Sequence, residues 1–346
     1  MQRPVITSLV LVAVFAGCSL AIDTSEYSGG SPRPTEDAAR PVEASVPSEG
    51  GDGGSPAMDA AVADAAVDAG ADGGLEGDAG ACSDDLTSDA KNCGKCGHDC
   101  LGGTCVASQC TPVPIISNET GVLGVAVDGT DLYWSRFDGA VRTSRLDGTS
   151  PGDLRKLNGA GHIAVDDTYV YVAGFGAIPV SRFRKDNTGP VEALAPCNGE
   201  CLGVAVTTGR VYFTERALGG VGNLRVAESD GGSTLLLGDL SFPEHLFAAP
   251  TRLLIANEGG NDIVELPYGS TTSAVFASVP DPVSVVADAT DVWIVSQNTK
   301  TIRRRALAGG PIFTVATLPS IAYGLAQNAT ALYWANDDGT ILRLAK

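Results

Sequence analysis

No apolar run in this sequence is long enough to span a bilayer. The stretch Val5 to Gly17 in MQRPVITSLVLVAVFAGCS follows Arg3 and suits a secretory signal instead. Basic residues are also few: 23 Lys and Arg stand against 41 Asp and Glu. That balance argues against nucleic acid as a partner. Enzyme signatures are missing too, since no G-x-S-x-G, P-loop or H-E-x-x-H occurs. Finally, the segment Ser19 to Ala81 has almost no aromatic or large aliphatic residues. It cannot bury enough surface to offset its ordering entropy.

That segment, about 63 residues of Ala, Gly, Asp, Ser and Pro, reads as a disordered tether. A flexible chain of that length has a root-mean-square span of roughly 45 Å. It also supplies most of the net charge of -18, because its thirteen Asp and Glu against two Arg bring about -11. The charge therefore does not describe one acidic surface. The tether begins after Phe15-Ala16-Gly17-Cys18, which resembles the bacterial lipobox. The resemblance implies cleavage before Cys18, a lipid on its thiol, and a cell-envelope location. Ser19 at the next position favours the outer membrane by the same analogy. The alternative is an ordinary signal with an incidental cysteine.

The nine cysteines fall into three groups. Cys18 goes to lipid. Cys82, Cys93, Cys96, Cys100, Cys105 and Cys110 crowd into about 29 residues, and Cys197 and Cys201 bracket the turn CNGEC. An even remainder suits disulfides in an exported protein. So few residues cannot build an adequate core, so three disulfides among the six would hold the module at 82–111 together. Their connectivity is open. Cys93 and Cys96 with His98 and Cys100 also admit a zinc reading, and Cys93-Gly-Lys-Cys96 a redox pair. Cys197 and Cys201 pair with each other around Asn198-Gly199. The segment Asn92-Cys93-Gly94, Cys96-Gly97, Cys100 resembles the stigma-specific-protein-like module and NCGxCGxxC segments of secreted myxobacterial proteins.

From residue 112 onward the chain repeats. Equivalent strands appear at Tyr133, Tyr171, Tyr212, Leu254, Trp293 and Tyr333, at spacings of 38, 41, 42, 39 and 40. Each unit reads as an apolar inner strand, an Asp or Asn turn, an aromatic strand, an alternating strand and an outer strand. Four strands at this period mean propeller blades. The fold class is therefore all-β: a six-bladed propeller over 112–346, behind the tether and the cysteine module. The sixth unit ends without its outer strand, and PVPIISNETG from Pro112 supplies one. The segment 112–118 is expected to close the ring.

The Leu-Tyr-Trp strands with Asp-Gly turns resemble the YWTD and NHL classes of propeller and the wider TolB-like six-bladed superfamily. Tyr133-Trp134-Ser135-Arg136 and Tyr333-Trp334-Ala335-Asn336 lack the acid of that tetrapeptide, so receptor-type ligand binding does not carry over.

Aligning the units exposes two sets of candidate site residues. Just before the inner apolar core stand Gly124, His162, Gly203, His245, Ser284 and Gly324. His162 and His245 could form a catalytic or metal-binding pair in the channel, with the small residues leaving room around them. The plainer alternative is polar filling of a wet channel. After each aromatic strand stand Arg136, Gly174, Glu215, Asn257, Ser296 and Asn336. Of these, Arg136, Glu215, Asn257 and Asn336 are candidate ligand-binding groups. Six-bladed gluconolactonases hold a divalent cation with Glu, Asn and Asp, and Glu215, Asn257 and Asn336 resemble that set. A single carboxylate is a poor calcium or magnesium site. No other cofactor is expected. The virginiamycin-lyase type uses a histidine, but its surrounding motif has no match here. Arg303-Arg304-Arg305 reads as a solvated face, and Asp128, Asp131, Asp138 and Asp147 as turn residues.

Three functions follow as expectations. The first is a monomeric, lipid-anchored envelope module that binds carbohydrate, peptide or protein. The second is a channel-mouth hydrolase or lyase using His162, His245 and Glu215. The third is a structural envelope protein.

Overall fold

The computed structural model describes residues 85–174, 176, 178–217 and 219–346. The signal segment, Cys18, the tether and Cys82 lie outside the described residues.

The repeated units each form a four-stranded antiparallel sheet. Blade one pairs Val122–Val127, Asp131–Arg136, Ala140–Arg145 and Gly152–Lys156 in that order. The next four inner strands are Ile163–Val165, Glu200–Thr207, Pro243–Ala248 and Pro282–Ala287. Blade six pairs Ala322–Gln327, Ala331–Asn336 and Ile341–Ala345, and its fourth strand is Val113–Ile116. The closing register sets Ile116 against Ile341 and Pro114 against Leu342. The segment read from sequence as the missing outer strand occupies that place.

Burial explains why the strands differ in composition. Leu132, Tyr133 and Trp134 are all buried, as suits a strand covered on both faces by neighbouring blades. Val221–Ala227 alternates buried and accessible positions, as suits a strand nearer solvent. Six apolar clusters form, one at each blade seam. The closing seam gathers Ile116, Leu132, Trp134, Tyr333 and Ile341. Burying one such side chain contributes about 1.5–3 kcal/mol.

In blades one, two, five and six the turn before the second strand has one recurring device, an Asp or Asn that accepts from two following amides. Asp128 Oδ1 accepts from the amides of Thr130 and Asp131, and its Oδ2 accepts from the Tyr133 hydroxyl at 3.0 Å. Asp166 does the same with Thr168, Tyr169 and Tyr171, and Asn328 takes the two amides of Thr330 and Ala331. These are turn-closing side chains. Lys185 reaches Asp128 from the next blade at 2.6 Å, which ties blade two to blade one.

In the cysteine module, Cys93 bonds Cys105 and Cys100 bonds Cys110, while Cys96 is also disulfide-bonded. Cys93 and Cys100 therefore offer no thiolates for zinc, and Cys93 is not paired with Cys96 as a redox couple. The His98 Nδ1 lies 2.6 Å from the Cys93 carbonyl. Arg343, on the third strand of blade six, donates to the Leu101 carbonyl and so attaches the module to that blade. Cys197 and Cys201 are joined as the CNGEC spacing implied.

Candidate functional site: the channel mouth

The inner strands leave little space at the level of the histidines. A Cβ on Gly124 would lie 2.7 Å from the His162 Cα, and one on Gly203 would lie 2.9 Å from the Glu244 carbonyl oxygen. From sequence, these small residues are expected to leave room around the histidines; the structure corrects this, since the space beside Gly124 and Gly203 is filled by the next inner strand. The two glycines let adjacent inner strands approach closely.

That close approach creates a bonding pattern that repeats around the ring. Ser284 Oγ accepts from the Leu325 amide of the following blade at 2.9 Å. His245 Nδ1 accepts from the Val285 amide at 3.3 Å in the equivalent way. In blades one and three the Ser135 and Thr214 hydroxyls, on the second strand of the same blade, take the amides of Gly124 and Gly203 and donate to the Gly161 and Glu244 carbonyls of the following blade. His245 thus performs the stitching that a serine performs elsewhere. His162 departs from the pattern. Its backbone amide donates to the Leu202 carbonyl, and its ring Nδ1 has no partner although the residue is only 7% exposed.

The two rings meet edge to face, with centroids 4.8 Å apart. Burial pushes His162 down to about 4 and His245 well below its usual value, the latter helped by His162. Both are therefore neutral near pH 7, His162 offering an acceptor lone pair or an N–H according to tautomer.

The pair divides the channel. Beyond it lies a cavity of about 220 Å³ walled by residues such as Val125, Val204, Leu246, Phe247 and Leu325. Before it lies a cavity of about 230 Å³ with His162 in its wall. Leu123, Leu202 and Val283 give this second chamber apolar sides, and Arg216, Glu244, Glu258, Gln297 and Tyr323 give it polar ones. Arg216 lies 2.6 Å from Glu200 and 2.6 Å from Glu244. Glu258, which also lines the chamber, sits on the only helical turn among the described residues, Glu258–Gly260. Burial raises Glu244 to about 7 and raises Glu258 as well. Burial and Asp337 keep Tyr323 a neutral phenol. Arg216 also borders an adjoining basin of about 420 Å³ with Gly219, Gly220 and Phe242.

Of the residues singled out from sequence, only His162 lines this chamber. Arg136 makes ion pairs with Glu119 and Asp138. Glu215 lies 3.2 Å from Arg225, Asn257 donates to Asp262, and Asn336 bonds Trp334 and Thr340. Each is engaged in local structural bonding, Asn257 also accepting from the Ser241 amide of blade three, and, among the described residues, no cavity at the channel mouth is lined by Glu215, Asn257 or Asn336. Among the described residues, the one group of three potential metal ligands within reach of each other is Cys93, Cys100 and Cys110, and all three are in disulfides.

Sequence reasoning missed Arg216, Glu244 and Glu258. Each is one position away from a residue it had chosen: Glu215, His245 and Asn257. Adjacent strand residues face opposite sides, so the level was right and the parity was not.

No family model matches the chain, and no curated protein matches it. Several solved structures share its propeller. The regucalcin of Agrobacterium tumefaciens, a calcium-binding protein, superposes with a TM-score of 0.55 at 15% identity, over 67% of this chain and 90% of that one. A catalytically inactive virginiamycin B lyase from Staphylococcus aureus, solved with quinupristin, gives 0.52 at 14%, over 68% and 98%. A chain of the nidogen/laminin complex gives 0.52 at 17%, over 59% and 84%. At these identities the likeness establishes a shared fold, one carried both by binding proteins and by an enzyme.

Proposed function

We propose that this chain is an exported binding module, anchored to the envelope by lipid on Cys18, which captures a small ligand in the chamber before the histidine pair. The observation that carries the reading is a cavity of about 230 Å³ in which Arg216, Glu244, Glu258, Gln297 and Tyr323 line the same space as His162, Leu123, Leu202 and Val283. Polar groups beside apolar walls in a small concave space are the usual make-up of a ligand site. The tether and lipobox-like segment support display of the module away from a membrane surface, and the nidogen/laminin propeller supports binding as a use of this fold.

A hydrolase or lyase is the second reading, favoured by the fold shared with virginiamycin B lyase and by a histidine in the channel. The trio His162, His245 and Glu215 does not suit it, since Glu215 is paired with Arg225 and both histidines are poor bases when pushed so low.

The test is a thermal-shift screen of the purified chain against neutral sugars, amino acids and amines. A ligand at a hundred times its Kd should add about 2.7 kcal/mol of stability. Arg216→Ala and the milder Gln297→Ala should each reduce that shift. A ligand whose shift survives both changes binds elsewhere, and the chamber reading fails. Separately, Cys18→Ser should release the protein from the membrane fraction; continued sedimentation with membranes would sink the anchor.

A further inference from the structure

Paired residues form rows across each blade, from the second strand through the third to the outer one. In blade two one such row is Tyr171, Arg182 and Glu192; the same row in blade five is Trp293, Arg304 and Phe313. Thr143, Glu265 and Arg343 hold the middle place in blades one, four and six. All of these middle residues but Arg304 are hydrogen-bonded within the protein. Thr143 donates to the Leu132 carbonyl, Arg182 to Glu192 at 2.8 Å and Arg343 to the Leu101 carbonyl, while Glu265 accepts from Arg252. Arg304 has no such bond among the described residues, although its side chain is half-exposed. Its one ion pair there is with Asp291, 3.6 Å from Nε and too long for a hydrogen bond. Where blade two supplies Glu192 to its arginine, blade five offers Phe313, which is 55% exposed.

Arg304 and Phe313 line a cleft of about 630 Å³ bounded by blades five and six and by the cysteine module. Lys95 lines it from the module and makes no ion pair or hydrogen bond among the described residues. Lys346 is the third cation, held over the Trp293 ring by Asp288 at 2.9 Å and Gln327 at 2.8 Å. Asp288 and Asp291 are the carboxylates of the described lining, so three cations face two anions. The chain as a whole runs the other way: from Asp85 to Lys346 it has 20 Lys and Arg against 27 Asp and Glu. A locally positive cleft on an acidic protein draws anions. A guanidinium lacking its carboxylate, beside an exposed ring, matches an acid that carries a ring of its own.

We propose that this cleft is a second ligand site, separate from the channel-mouth chamber, for small carboxylic acids that bear an apolar ring. The carboxylate lies on the Arg304 guanidinium, in the place Glu192 takes against Arg182, and the ring lies against Phe313. Lys95 adds positive charge from the module, which makes the cysteine module one wall of a binding site. A short acid has the charge without the ring. An alcohol of the same ring has the ring without the charge.

The experiment is a ligand-detected NMR titration of the purified full chain with phenylacetate, with acetate and 2-phenylethanol as comparators. Phenylacetate should bind at least about tenfold tighter than either, the difference that one charge-assisted pair or one ring contact makes. Arg304→Gln and Phe313→Ser should each weaken it by about tenfold. Both side chains are exposed, so neither change threatens the fold. Phe313→Glu gives blade five the carboxylate that blade two has, and should abolish binding by occupying Arg304. Lys95→Gln should weaken binding by about threefold and reduce its dependence on salt. Equal binding of a comparator, undiminished binding in either Arg304→Gln or Phe313→Glu, or no binding of phenylacetate overturns the proposal. Binding lost in Arg216→Ala and kept in Arg304→Gln would put the acid in the channel-mouth chamber, and the cleft would fall while the chamber stood.

Discussion

Glu119 is the residue whose burial most needs explaining. It is 5% exposed, yet it carries a carboxylate between two arginines at the seam of blades six and one. Its Oε1 accepts from Arg142, its Oε2 accepts from the Trp134 indole at 3.2 Å, and Arg136 stands 3.7 Å away. Its backbone amide donates to the Gly339 carbonyl of blade six. One side chain therefore satisfies an indole and fixes two cations beside the ring closure. Removing one member of such a buried set typically costs about 3–5 kcal/mol. Here Arg136 and Arg142 retain Asp138 and Asp153, which moderates the loss. Glu119→Ala should destabilise by about 3 kcal/mol, lowering Tm by roughly 6–12 °C at this chain length. Glu119→Gln keeps an acceptor for Trp134 and should cost less. Differential scanning calorimetry decides, with Asp153→Asn, 86% exposed at its side chain, as a comparator expected within about 0.5 kcal/mol of the parent. A Glu119→Ala transition within a degree of the parent would show that the cluster contributes nothing.

At the scale of the element, the strands were readable because each carries its own signals. The Asp128 and Asn328 turns, the buried second strands and the alternating third strands are all short-range patterns; the turn recurs at Asp166 and Asp288, and every unit keeps a buried second strand. The seam contacts follow once the blades are placed. The chamber is different in kind. Arg216 ends the second strand of blade three, Glu244 opens the inner strand of blade four, and Glu258 lies on the turn after that blade's second strand. Nothing local brings them together; only blade packing sets Arg216 2.6 Å from Glu244. A bulge in each of these inner strand pairs, between Cys201 and Val204 and between Pro243 and Leu246, also shifts the register at the level that matters. Period counting cannot see a one-residue slip that exchanges the two faces. His162 was legible because it broke the repeat. His245 broke it only in residue type and turned out to replace Ser284 in function.

For the whole molecule, the question is what holds a ring of six separately hydrogen-bonded sheets shut. The described part of the ring closes where Val113–Ile116 meets Ile341–Ala345, a junction between strands roughly 225 residues apart in sequence, so its loop-closure entropy is paid late. Without it, Ile341–Ala345 would present an open edge, and the apolar seam around Trp134 and Tyr333 would lose Ile116, which is 6% exposed. Ile116→Ala deletes atoms from that seam at a cost of about 3 kcal/mol, within the usual range for a buried Ile-to-Ala change. A contact of such sequence separation is expected to be unformed in the transition state for folding, as a blade can assemble from local hairpins first. The destabilisation should then appear almost wholly in the unfolding rate, which should rise about 150-fold while refolding barely changes. Stopped-flow chevrons of the parent and Ile116→Ala measure both arms. If the folding arm slows by a comparable factor instead, the terminal strand belongs to the nucleus and the ring closes early.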